Sequence, residues 1–143
     1  MFIAPLVRQQ HFPDDMEPIK SILIIDDDTT SVFLARRLLS SIDSGLQVHG
    51  AQNGRDALAI LKEAKEKAAP PQLILLDIHM PVMDGFDFLK EVGQHGHVNL
   101  IDTKIVLLTG SQNPVEIARG KNQLAATFLQ KPLTKEKLRS ILY

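Results

Sequence analysis

The chain has 143 residues, 44% of them hydrophobic and 23% charged, with a formal net charge of -1. That length supports one domain with a core of its own. Near-neutral charge without a dense basic patch argues against nucleic acid or anionic lipid as partners; the absence of cysteine excludes disulfides and thiol chemistry; and no apolar stretch approaches the ~20 residues of a membrane span.

Residues 1–20 carry Pro5, Pro13 and Pro18 and no sustained period, so they read as an irregular arm. Phe2, Ile3, Leu6, Val7 and Phe12 are its candidate apolar anchors. The opening residues lack a basic n-region and are broken by Pro5, so a signal peptide is not expected and a cytoplasmic setting is. From Ser21 onward, strand and helix signals alternate. The first strand is Ser21–Ile25, a buried-type run that ends in Asp26-Asp27-Asp28. A helix follows, capped by Thr29, Thr30 or Ser31, with Val32, Phe33, Leu38, Leu39 and Ile42 on its apolar side. Leu46 and Val48 alternate with polar neighbours, which suits an edge strand. Asn53-Gly54 opens a second helix with Ala57, Leu58, Leu61 and Ala64 inward, stopped by Pro70-Pro71.

The third strand is Leu73–Asp77, four apolar residues closed by a carboxylate. Its helix starts near Asp84 and turns Phe86, Leu89 and Val92 inward, and residues 93–102 read as a polar loop. Residues 105–108 form the fourth strand, which ends at Thr109-Gly110-Ser111. Asn113-Pro114 opens a helix over about 114–124. Thr127-Phe128-Leu129 is a short fifth strand, broken by Lys131-Pro132, and Thr134 caps a last helix carrying Leu138, Ile141 and Leu142. Five βα units with right-handed crossovers predict an α/β, doubly wound, mostly parallel sheet with helices on both faces.

In such a sheet the C-terminal strand ends share one rim, where open α/β folds keep their ligand sites. That rim gathers Asp26, Asp27, Asp77, Thr109 and Lys131. Packed carboxylates repel one another and raise each other's pKa. Mg2+ relieves this, because it prefers oxygen ligands and keeps several waters of its own. One carboxylate oxygen can then attack an incoming phosphoryl group. Charge on the phosphoryl oxygens is met by the Lys131 ammonium, the Thr109 hydroxyl and backbone N–H groups after Asp77.

With these residues in place, the chain resembles the receiver domains of two-component response regulators. The likeness rests on ILIIDDD at 22–28, LLDIHMPVMDG at 75–85, LLTGS at 107–111 and FLQKP at 128–132, in order and in register, and it covers residues 21–143. It implies a flavodoxin-like five-stranded sheet of order 2-1-3-4-5 with five helices. It implies that Asp77 is the phosphoacceptor. Asp27, Asp77 and the backbone carbonyl of His79 would ligate Mg2+, with Asp26 joining through a water. Lys131 would pair with Asp77, Thr109 would bond a phosphoryl oxygen, and Phe128 would be the rotating aromatic. The bond before Pro132 would be cis. A histidine kinase or histidine phosphotransfer protein would be the donor. A downstream protein would read the face made by the fourth helix, fifth strand and fifth helix. Such a domain speeds its own phosphorylation and hydrolysis but acts on no independent substrate. Phe128 in place of the frequent Tyr removes a hydroxyl contact. His79 puts an imidazole, expected toward solvent, near the phosphoryl group, where it bears on phosphate lifetime.

Blander readings stand beside these. Asp26 and Asp27 would also suit a helix dipole, and Thr109 would also suit an N-cap. Asp28 is expected in solvent without a ligand role. Met80 and Met83 are expected to pack the turn. His95 and His97 have the spacing of a zinc pair but no third ligand, so a surface-loop role is expected; His11 and His49 carry no signal. Two other functions compete. A haloacid dehalogenase-type phosphatase also places Asp after a buried strand, but it wants an acid/base Asp where His79 stands. A docking module that is never phosphorylated usually loses part of the acidic set, which is complete here. No output domain is expected before the last residue, Tyr143, so the chain reads as a stand-alone receiver or a piece of a longer regulator.

Overall fold

The computed structural model describes residues 18–96, 98–99, 102–110, 114–121 and 127–143. The arm's anchors, His11, His97, Ser111, Asn113 and Leu124 lie outside the described residues. Five strands, β1 (Ser21–Ile25), β2 (Gln47–Ala51), β3 (Leu73–Asp77), β4 (Lys104–Thr109) and β5 (Thr127–Gln130), form one parallel sheet in the order 2-1-3-4-5. Five helices accompany them: α1 (Thr29–Ile42), α2 (Gly54–Glu66), α3 (Gly85–His95), α4 (Pro114–Lys121) and α5 (Lys135–Leu142). The expected flavodoxin-like doubly wound arrangement is the one observed.

The apolar runs are continuous because the central strands are covered on both sides. Alternate residues serve opposite layers. Ile22, Ile24, Leu73, Leu75, Val106 and Leu108 pack with Ala35 and Leu39 of α1 and with Leu138 and Ile141 of α5. Leu23, Ile25, Ile74, Leu76, Ile105 and Leu107 pack with α2 and α3. Each such side chain contributes about 1.5–3 kcal/mol on burial. These two layers clamp β1, β3 and β4 and fix where their C-terminal ends lie.

Three expectations need correction. The N-cap of α1 is Asp28, whose Oδ1 accepts from the backbone N–H of Thr30 (3.0 Å) and Ser31 (3.4 Å). A carboxylate suits the helix dipole and forestalls the hydroxyls that follow. Phe33 faces outward, 55% exposed. The inward stripe of α1 is Val32, Ala35, Leu39 and Ile42, and Phe33 lies off it at 100° per residue. The Arg37 guanidinium sits over its ring instead, 5.7 Å from the centroid. Finally, α3 continues through Gly93 to His95 and ends on Gly96 with φ 63. Glycine takes that left-handed C-cap without strain. His95 is therefore helical, and its Nε2 meets Glu91 Oε2 at 3.1 Å.

Candidate functional site

Asp77 is the last residue of β3, and Asp26 follows β1 directly. The register Ile25↔Leu76 sets those two carboxylates side by side. One carboxylate oxygen from each of Asp26, Asp27 and Asp77 lies within 4.8 Å of the others. Asp26 and Asp77 are buried and Asp27 is exposed. Thr109, at the end of neighbouring β4, is buried. Lys131, just past β5, sends its Nζ to Asp26 Oδ2 at 3.0 Å and to Asp77 Oδ2 at 3.6 Å. Of the five residues that the sequence assigned to one rim, Asp26, Asp27, Asp77 and Lys131 meet there, and Thr109 ends the neighbouring strand.

Backbone bonds hold the strand ends in place. Asp26 N–H donates to Ala51 O (3.0 Å), and Asp28 N–H donates to Asp26 Oδ1 (2.9 Å). Lys131 N–H donates to Thr109 O (2.8 Å), which ties the two strand ends together. The Lys131-Pro132 peptide is cis. Lys137, one turn into α5, donates from Nζ to the carbonyls of Gln130 (2.7 Å) and Pro132 (3.0 Å), on either side of Lys131. Sequence reasoning missed Lys137 and missed the bond from Asp28 to Asp26. The trace of the first in the sequence was a lysine three residues after the N-cap Thr134.

The loop after Asp77 is equally constrained. Ile78 N–H donates to Leu108 O (3.1 Å), and Gly85 N–H returns to Ile78 O (2.9 Å). A Cβ on Gly85 would lie 2.8 Å from Asp77 O and 2.9 Å from Ile78 Cα, so only glycine fits this approach. Asp84 and Asp87 close a capping box at the start of α3. Met80 is buried, and Met83 packs on Gly54, as a turn-packing role requires. His79 donates its N–H to Asp77 Oδ1 (3.3 Å). Its imidazole is not simply solvated, because Nε2 reaches Glu116 Oε2 of α4 at 3.3 Å. Phe128 is half-buried against the α2–α3 layer.

Burial, and then the charge of Asp26, push the Asp77 carboxyl up to about 6 against the pull of Lys131. Burial works against the Lys131 ammonium, but the Asp26 hydrogen bond and the Asp77 and Asp26 charges outweigh it and raise its pKa. This is crowded negative charge with one internal cation. Hard oxygen donors this close together suit Mg2+, which needs few protein ligands.

A 2-1-3-4-5 parallel sheet with clustered aspartates and a lysine at its C-terminal rim defines a receiver-type signalling module rather than a conventional enzyme. A family model described as response regulator receiver domain matches residues 22–143, and the chain belongs to that family. It is 33% identical over 121 residues to the two-component response regulator ORR41 of Oryza sativa subsp. japonica, covering 85% of this chain and 90% of that protein. It is 31% identical over 120 residues to the two-component response regulator ARR14 of Arabidopsis thaliana, covering 84% of this chain but 29% of that protein. Among solved structures, the Vibrio cholerae chemotaxis protein CheY4 superposes with TM-score 0.71 at 32% identity, covering 87% of this chain and 96% of that one.

Proposed function

We propose that residues 21–143 form a receiver that accepts a phosphoryl group on Asp77 from a histidine kinase or histidine phosphotransfer protein, in a Mg2+-dependent step. The observation that carries this reading is the meeting of Asp26, Asp27 and Asp77 within 4.8 Å, with Lys131 against two of them. Residues 1–20 form a separate arm in this reading, and the setting is cytoplasmic. None of the described helices is long and apolar enough to cross a membrane.

Asp27, Asp77 and the His79 carbonyl would hold Mg2+ directly, and Asp26 would join through a water. Such an ion would supply positive charge to the crowded carboxylates and to the oxygens of the incoming phosphoryl group. An Asp77 carboxylate oxygen attacks phosphorus in line. The O–P bond forms, the P–N bond to the donor histidine breaks, and the imidazole leaves with the electron pair and takes a proton. Lys131 turns from Asp26 to the new phosphoryl oxygens, and Thr109 donates its hydroxyl to another. Phe128 then buries its ring, and the face of α4, β5 and α5 changes its partner preference. Phe128 has no hydroxyl, so that switch runs on ring burial alone.

Intact-mass measurement after incubation with acetyl phosphate and Mg2+ tests this. The wild type gains the mass of one phosphoryl group and Asp77→Asn does not. An adduct that persists in the variant moves the acceptor elsewhere. Turnover of a free phosphomonoester would instead revive a phosphatase.

A further inference from the structure

Helix α4 meets the loop after Asp77 through polar contacts. Glu116, in its first turn, bonds His79 Nε2 at 3.3 Å. One turn on, the Arg119 guanidinium lies over the Phe86 ring, 4.4 Å from its centroid. Phe86 is buried and directly follows Gly85, where the loop closes on Asp77. Residues 116 and 119 share one helical face. Both contacts therefore join α4 to the segment that starts at the proposed phosphoacceptor.

The Glu116 contact is strained in an informative way. Its Oε2 has His79, while its Oε1 is buried with no hydrogen-bond partner among the described residues. A buried carboxylate oxygen without a partner is costly. An imidazole with its proton on Nε2 can donate this bond. A phosphoryl group on Asp77 replaces the single carboxylate charge with about two, projected further from the strand end and two residues from His79. An underpaired carboxylate on the same side is repelled by it.

We propose that Glu116 is a positioning residue that, through His79, ties α4 to the loop after Asp77 and holds the domain in its unphosphorylated arrangement. The proposal rests on Asp77 as phosphoacceptor and identifies what opposes occupancy of that site. Linkage makes the effect reciprocal: occupancy loosens the tie, and loosening the tie favours occupancy.

The test is calorimetric titration of the full chain with beryllofluoride, a phosphoryl mimic, in the presence of Mg2+. Glu116→Gln and His79→Ala are each expected to bind about three- to fivefold more tightly than wild type, the range of one partly exposed polar pair. The double variant gains no more than the stronger single one, because both remove one contact. Glu91→Gln breaks the analogous pair with His95 at the far end of α3 and binds like wild type. Thermal melts check that each variant is folded, and the exposed His79 provides a second route if Glu116→Gln is not. Equal or weaker binding by both variants overturns the proposal, as does an equal gain in Glu91→Gln. Wild type that fails to bind overturns the phosphoacceptor reading as well, whereas wild-type binding with unaltered variants sinks the tie alone.

Discussion

The Lys131 ammonium stands nearer to Asp26 Oδ2, at 3.0 Å, than to Asp77 Oδ2, at 3.6 Å. The resemblance had paired it with Asp77 first. Asp26 is the more deeply buried acid and has no bulk water to share its charge, so the cation settles there. Asp77 keeps the weaker share, which only partly offsets the rise that burial and the Asp26 charge cause. In the proposed function, this loosely held countercharge leaves Asp77 ready for a phosphoryl group that brings Lys131 across.

Replacing Lys131 with Met leaves both buried carboxylates without their cation. Removing one partner of a buried pair is strongly destabilising, but this ammonium is 28% exposed, so the expected loss is about 1–3 kcal/mol. Urea unfolding at pH 7 without Mg2+ measures it. Mg2+ should recover part of the loss, and a variant as stable as wild type would contradict the electrostatic account.

The pH dependence of stability follows from Asp77. Its folded pKa, about 6, lies above the ordinary carboxyl value of 3.8. The folded state thus binds this proton more tightly than the unfolded state does. That contribution is complete below the unfolded value and is lost as pH rises through the window between the two. Metal-free protein should lose about 2–3 kcal/mol from this group between pH 4 and 7. Asp77→Asn removes the effect, so its stability advantage should be large at pH 7 and vanish near pH 3. Parallel denaturation curves across that range provide the check.

Asp27 is exposed, so Asp27→Asn should fold normally in the absence of metal. Wild type should gain about 2.7 kcal/mol at Mg2+ a hundredfold above its Kd. The variant should gain little at the same concentration. Melting scans with and without Mg2+ separate the two, and an equal gain would place the ion elsewhere.

Gly85→Ala tests the loop. The new Cβ would meet backbone at 2.8 Å and 2.9 Å, and backbone cannot swing aside like a side-chain tip. A loss of about 1–3 kcal/mol is expected, together with slower phosphorylation of Asp77, because the atom displaced is its own carbonyl. Unfolding curves and acetyl phosphate time courses read the two effects. Normal stability would mean that the loop opens freely there.

The layered α/β order and the acidic rim were legible in the sequence because they depend on short-range signals. A short apolar run such as Leu73–Leu76, bounded by turn signals, suits a strand covered on both faces, and a carboxylate ending such a strand sits at the sheet's C-terminal rim. Helix orientation was less legible. Phe33 shares its composition with the core yet faces water, while Phe88 is fully buried, though only Phe86, Leu89 and Val92 were expected inward. A periodic pattern leaves each stripe's centre uncertain by one residue, or 100° of rotation, and only the neighbouring layer settles it.

From sequence alone came the membership of the candidate site: Asp26, Asp27, Asp77, Thr109 and Lys131 are set by residue type at strand ends. Tertiary structure alone decided how they share charge and what braces them. Lys131 prefers Asp26 and His79 meets Glu116, because distances between segments dozens of residues apart arise only once the two apolar layers have closed on the sheet; Lys137 grips the turn around Lys131 only because the chain after β5 folds back into α5.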